Sequence, residues 1–257
     1  MKNIFFALSA ILLCSNIFVQ AQEAKPADTE VWNPVPTIIT PGKVNSDAPS
    51  DAIILFNGKD LNQWVSVKNP DAPADWIVSG NTITVNKSAG NIQTKRSFGS
   101  YQLHIEWKIP ENIKEEGQSK GNSGLFLAST GPGDDGYELQ ILDSYKNKTY
   151  VNGQAGSIYK QAAPLVNASK MPGEWQSYDV IWKAPVFNTD GSLKSPAFVT
   201  VIHNGVLIQN NLELQGTTKY IGKTSYNKAH GASPIKLQSL GDPSEPISFR
   251  NIWLREL

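Results

Sequence analysis

An all-β fold, a sandwich or jelly roll of two antiparallel sheets with long rim loops, is what this sequence predicts, and three observations predict it. Ten short segments alternate apolar with polar residues at a period of two, the pattern of half-buried strands. Turn signals separate them: NG at 57–58 and 204–205, SGN at 79–81, DG at 135–136 and 190–191. No stretch sustains a 3.6-residue apolar period with caps, so helices are expected to be short and few. Strands in series without helices or internal repeats pair antiparallel and bury one face of each sheet against the other.

Taken in order, residues 1–21 read as a signal peptide. Lys2 is followed by an apolar run from Ile4 to Val19, broken by Ser and Asn, and then by Ala21, with cleavage expected near Ala21 or Gln22. The run is short and interrupted for a membrane span. Leu12 and Leu13 precede Cys14 where a lipoprotein site needs a small residue, so lipid anchoring there is not expected. Residues 22–50 hold five of the 16 prolines (Pro26, Pro34, Pro36, Pro41, Pro49) and form an extended leader. From residue 51 to 257 the strands run IILF (53–56), WIV (76–78), TITV (82–85), YQLHIEWKI (101–109), GLFLAS (124–129) and YELQILD (137–143). SYDVIWK (177–183), AFVTVIH (197–203), IKLQSL (235–240) and ISFRNIWLREL (247–257) complete the set. The polar stretches 111–123, 184–196 and 216–233 are long enough to build a rim over one sheet.

Composition narrows the function. Signal cleavage removes the sole cysteine, which leaves no disulfide and no thiolate metal site. It also removes Lys2, leaving 22 basic against 23 acidic residues, and with no basic cluster a nucleic-acid partner is not expected. Seven Trp and eight Tyr suit a carbohydrate partner, since a flat ring matches the apolar face of a pyranose, although they serve equally as core. No HExxH, phosphate loop or GxSxG elbow is present. Asp134 and Asp135 in GPGDDG lack the spaced ligands of a calcium loop, so a Gly/Asp turn is expected there and no metal or cofactor is required.

Two strands carry polar residues opposite an apolar row. In YQLHIEWKI these are Gln102, His104 and Glu106; in YELQILD they are Glu138 and Gln140. If these strands are neighbours, two carboxylates and an imidazole converge on one concave surface. His104 is the better histidine for proton transfer because Glu106 lies beside it, and His230 in NKAHGAS reaches the floor from the rim. For each, a solvated or core-capping histidine is an equally valid reading. His203, in VIHNG, reads as turn chemistry.

The ordered set LFNGKDLNQW (55–64), GNSGLFL (121–127), GYELQILD (136–143), GSIYKQAAP (156–164), GEWQSYDV (173–180), HNGVL (203–207) and FRNIWLREL (249–257) resembles the 3-keto-disaccharide hydrolase family. The resemblance covers residues 51–257 and implies a concanavalin A-like jelly roll, export in a sugar-degrading bacterium to the periplasm or medium, and cleavage of glycosides oxidised at C3. It also implies a polar floor of Glu106, Asn122, Ser123, Glu138, Gln140, Asp143, Tyr159 and Gln238. Glu138, Glu106 and His104 are the candidate catalytic groups; Gln140, Asn122, Ser123, Asp143, Tyr159, Lys160, His230 and Gln238 are the candidate substrate ligands. Ser123 reads equally as a turn hydroxyl and Tyr159 as a buried strand tyrosine. The chain departs from the family pattern twice: Leu240 stands where a histidine is frequent, and Lys160 where the family has glycine. A non-catalytic glycan-binding module is the competing reading, and it would present an open aromatic groove without a proton-transfer cluster.

Overall fold

The computed structural model describes residues 24–240 and 246–257, so the predicted signal peptide and Cys14 lie outside the described residues. The chain divides into two units at Ile38/Ile39. Among its described residues the first contains a single 3-10 turn, Pro26–Thr29, entered on a proline that needs no amide partner. The second holds every strand of the described residues. In chain order these are β1 (Ile53–Phe56), β2 (Trp64–Ser66), β3 (Ile77–Ser79), β4 (Thr82–Thr84) and β5 (Ile92–Thr94). Then come β6 (Tyr101–Lys108), β7 (Ser123–Ser129), β8 (Gly136–Ile141), β9 (Trp175–Lys183) and β10 (Val186–Phe187). β11 (Leu193–Ser195), β12 (Phe198–His203), β13 (Val206–Glu213), β14 (Lys236–Leu237) and β15 (Ser248–Glu256) complete the set.

They form the expected all-β sandwich of two antiparallel sheets. One sheet has the order β13-β12-β9-β6-β15-β4-β3, with β1 also on β15; the other is β2-β5-β14-β7-β8, and β10 and β11 make a separate hairpin in the expected 184–196 loop. Alternation decides which side chains meet between the sheets. Tyr101, Leu103, Ile105 and Trp107 of β6 pack with Leu125 and Leu127 of β7 and Tyr137, Leu139 and Ile141 of β8 in one core. Two tyrosines tie the layers together: the Tyr101 hydroxyl donates to the Leu127 carbonyl at 2.6 Å, and Tyr178 of β9 donates to the Gln140 carbonyl at 2.8 Å.

The predicted NG turn joins β12 to β13. Asn204 and Gly205 both have positive φ, 52° and 82°, which is what a two-residue hairpin loop needs to match strand twist. His203 is not turn chemistry. It is 1% exposed on the inner face of β12, its ring 5.7 Å from Trp107 and 4.8 Å from Tyr178, and burial with the charge of Lys170 lowers its pKa to about 3. No helix of the described residues is long and apolar enough to cross a membrane.

Candidate active site

The pocket is built on the outer face of the five-stranded sheet, the face opposite the core. Antiparallel register lays two rows across β14, β7 and β8. Lys236, Phe126 and Glu138 form one row, because Lys236 pairs with Phe126 and Phe126 with Glu138. The next row is Gln238, Gly124 and Gln140, with the Gln238 amide bonded to the Gly124 carbonyl and Gly124 opposite Gln140. Gly124 leaves a hollow in this floor. A β-carbon there would lie 2.7 Å from Glu138 Oε1 and 3.1 Å from Gln238 Oε1, so both side chains lean over the space that glycine leaves open.

Around the floor, loops supply the walls of a cavity of about 360 Å³ lined by Gln118, Asn122, Asp134, Tyr150, Thr218, Tyr220 and Leu240 in addition to Glu138, Gln140, Tyr159 and Gln238. Residues 156–159 run along the free edge of β8: the Gln140 amide donates to the Ser157 carbonyl and the Tyr159 amide to the Glu138 carbonyl. That pairing sets Tyr159 beside Glu138. Its hydroxyl meets that of Tyr150 at 2.8 Å. Burial, and then Tyr150 and Glu138, raise the Tyr159 pKa, so this phenol remains a neutral donor.

Glu138 is the buried carboxyl of the cavity. It is 5% exposed, and burial with the nearby Asp134 charge pushes its pKa up to about 8, against a smaller downward pull from Lys236. Gln140 is locked, its amide nitrogen bonding the Asn122 side chain at 2.7 Å and the Ser123 carbonyl at 3.0 Å. Gln238 Oε1 is buried and accepts no hydrogen bond among the described residues. A buried acceptor without a donor is costly, and a ligand hydroxyl reaching this floor would satisfy it.

Five of the predicted residues thus come together: Glu138, Gln140, Asn122, Tyr159 and Gln238. Lys160 stands behind the wall. Its ammonium lies 4.2 Å from the Tyr220 ring and donates to the Tyr220 carbonyl at 2.6 Å. Ser123 does not line the cavity; its hydroxyl donates to the Gln238 carbonyl at 2.8 Å. Asp143 lies past the end of β8, paired with Lys120 at 3.1 Å and accepting from the Tyr145 amide. His230 bonds the hydroxyl of Tyr137, a core-facing residue, at 2.8 Å and does not reach the floor.

The expected convergence of His104 and Glu106 with Glu138 does not occur. β6 belongs to the eight-stranded sheet and β8 to the other, so the two polar faces point away from each other across the sandwich. His104 Nδ1 is instead 2.6 Å from Asp179, and Glu106 takes Arg250 at 2.6 Å and Asn251 at 2.9 Å. Desolvation alone would lower the His104 pKa, but bonds to Asp179 and Glu106 override it and raise it to about 9. Desolvation likewise pushes Glu106 up, and the bonds from His104, Asn251 and Arg250 outweigh it, leaving the pKa at about 2. This network lies on the other sheet, where His104, Glu106, Asp179 and Arg250 line a separate cavity of about 620 Å³ and His104 Nε2 stands 3.6 Å from Glu106 Oε1. Among the described residues no group of three or more His, Cys, Asp and Glu is placed to hold a metal ion, and the GPGDDG carbonyls are taken by Lys236, whose ammonium bonds Gly133 and Asp135 at 2.8 Å.

Lys236, Gln118, Tyr150 and Tyr220 were not singled out by sequence. Lys236 had a signal, since in IKLQSL it shares parity with Gln238 inside an apolar strand; the others lie in segments without periodicity.

A buried carboxyl among amides and phenols, on the outer face of an antiparallel sandwich, suits a carbohydrate-active hydrolase or lyase. Residues 51–255 match the 3-keto-alpha-glucoside-1,2-lyase-like domain, and the chain belongs to that family. A presumed glycosyl hydrolase from Parabacteroides distasonis ATCC 8503 is 54% identical, with a TM-score of 0.84 over 91% of this chain and 97% of its own. A second such protein from the same organism shares the fold at 20% identity, with a TM-score of 0.56 over 80% of this chain and 94% of its own. No curated protein matches the chain.

Proposed function

We propose that the protein cleaves 3-keto glycosides by elimination across C1–C2 followed by hydration. The observation that carries this reading is Glu138, a buried carboxyl with its pKa raised to about 8, on a floor of amides beside neutral phenols. A ketone at C3 acidifies the hydrogen on C2. Glu138 as carboxylate takes that proton, the electron pair forms the enolate, and the enolate re-forms the ketone as the C1–O bond breaks and a C1–C2 double bond appears. The leaving oxygen takes a proton from a cavity donor, and the phenols of Tyr150 and Tyr159 hydrogen-bond the oxygen on which charge develops. Water then adds, hydroxyl to C1 and hydrogen to C2, and the sum is hydrolysis. A base of this strength suits a carbon acid better than the paired carboxylates of an oxocarbenium route.

Incubation with 3-keto glycosides and their unoxidised parents tests the reading. Turnover of a keto sugar, with deuterium at C2 of the product formed in deuterated water, is expected. Comparable cleavage of the parent, or product without C2 label, rejects the mechanism. Binding without turnover on every keto sugar moves the protein to the glycan-binding modules. The apolar segment at residues 4–19 supports export to the periplasm or medium; the mature protein should begin near Gln22, and an intact mass carrying lipid on Cys14 would reject soluble export.

A further inference from the structure

Beside the cavity, on the sheet face that carries Glu138, lies a buried cation with no counterpart in the mechanism above. Lys236 is 0% exposed, and its ammonium sits where the carbonyls of Gly131, Gly133 and Asp135 converge, at 3.3, 2.8 and 2.8 Å. Its stem leaves β14 on the same face as Glu138, one strand beyond Phe126, over whose ring the ammonium lies at 4.7 Å. Three inward-facing carbonyls in a Gly/Asp turn make a cation cradle of the kind metals use, and here the occupant is covalently attached. The turn it clamps is the one that brings Asp134 to the cavity, where Asn91 Nδ2 donates to its carboxylate at 3.0 Å. Burial of an ammonium is unfavourable without such acceptors, so cradle and lysine each require the other.

We propose that Lys236 is a positioning residue of the active site, a built-in cation that holds the Gly131–Asp135 turn and so fixes two opposing charges, its own and that of Asp134, beside Glu138. Two effects follow. The turn is kept in the one geometry that lets Asp134 line the cavity, and the environment of Glu138 is set by a balance and not by burial alone. The charged and titratable groups facing Glu138 are Asp134 from the turn, Lys236 from β14, and Tyr150 and Tyr159 from the wall. Asp134 raises the Glu138 pKa and Lys236 lowers it. Burial in turn brings the Lys236 ammonium down to about 8, against upward pulls from Asp134, Asp135 and Glu138. The two groups therefore titrate as a coupled pair, and Lys236 carries its charge over the lower part of the Glu138 titration. This inference rests on the role assigned to Glu138 in the proposed reaction, but its primary readout does not need substrate.

The test follows the Glu138 carboxyl carbon by NMR titration of 13C-labelled protein, the signal being assigned by its loss in Glu138→Gln. In Lys236→Met the midpoint should rise above that of the wild type, the corresponding ionisation in the kcat/KM profile should move with it, and kcat/KM should fall roughly tenfold through loss of positioning. Lys236→Arg, which restores the charge, should bring the midpoint back toward the wild-type value. In Asp134→Asn the midpoint should fall. A folded Lys236→Met, judged by near-UV circular dichroism, with an unmoved Glu138 midpoint overturns the proposal. If Lys236→Met does not fold, Asp134→Asn decides: a downward move supports the arrangement and no move rejects it. Absence of turnover on every keto glycoside would remove the reaction while leaving the titration intact, so the two failures are distinguishable.

Discussion

Glu138 concentrates the consequences of a single residue. Below pH 8 its carboxyl is predominantly neutral and above it charged. Acting as a base it makes kcat/KM climb with pH to a plateau above about 8, and a falling limb there would reassign it as the acid. Glu138→Gln should lower turnover by roughly 10²-fold or more, abolish that ionisation and leave the unfolding transition in place, which steady-state kinetics and a urea melt would report. Lys160 is the second instructive residue. Its φ is 58°, in the left-handed region that favours glycine, and its ammonium braces Tyr220. Lys160→Gly should change the unfolding free energy by less than about 1 kcal/mol, strain relief and chain entropy opposing each other. KM should rise roughly threefold, the equivalent of one exposed cation–π contact. An unchanged KM would mean that Tyr220 needs no brace.

At the level of strands, the site depends on β7 being open at one position. Gly124→Ala would push a methyl group against the end of a flexible side chain, Glu138 Oε1, and so should cost little stability. It should still lower kcat/KM by roughly 10²-fold, since a displacement of about 1 Å at the reacting group has that effect. Equal losses in stability and activity would count against the hollow as a catalytic feature. Strands with one unbroken apolar row, such as β6, β8, β9 and β12, were legible from alternation alone. β2 and β5, at three residues each, are too short to establish a period, and β13 buries only the adjacent pair Ile208 and Gln209. The predicted strand over 235–240 narrows to Lys236–Leu237. Parity told which side of its own sheet each residue faces, and hence the Glu138/Gln140 floor. It carries no information on which sheet a strand joins, so His104 and Glu106 read as partners of Glu138 although pairing puts β6 beside β9 and β15.

For the molecule as a whole, the two outer faces do different work. On the eight-stranded side, His104 lies between Asp179 and Glu106, its ring stacked 5.4 Å from Trp253. Its pKa is raised to about 9 in the folded protein, so its contribution to stability is fully present below about 6.5 and is lost as pH rises through 9. Glu106, held at about 2, contributes above 4.5 and loses its contribution as pH falls through 2. Between pH 6 and 9.5 the wild type should therefore lose up to about 3 kcal/mol more than His104→Phe does, read from urea midpoints at each pH, while turnover of a keto glycoside is retained in the variant. A collapse of turnover in a folded His104→Phe would return that histidine to the mechanism. Because Glu138 and Gln238 hang from one outer face and the His104 network from the other, with the shared core between, substitutions on the two faces touch no common partner. Their effects should add, so the fold can be hardened on one side while its substrate range is re-cut on the other.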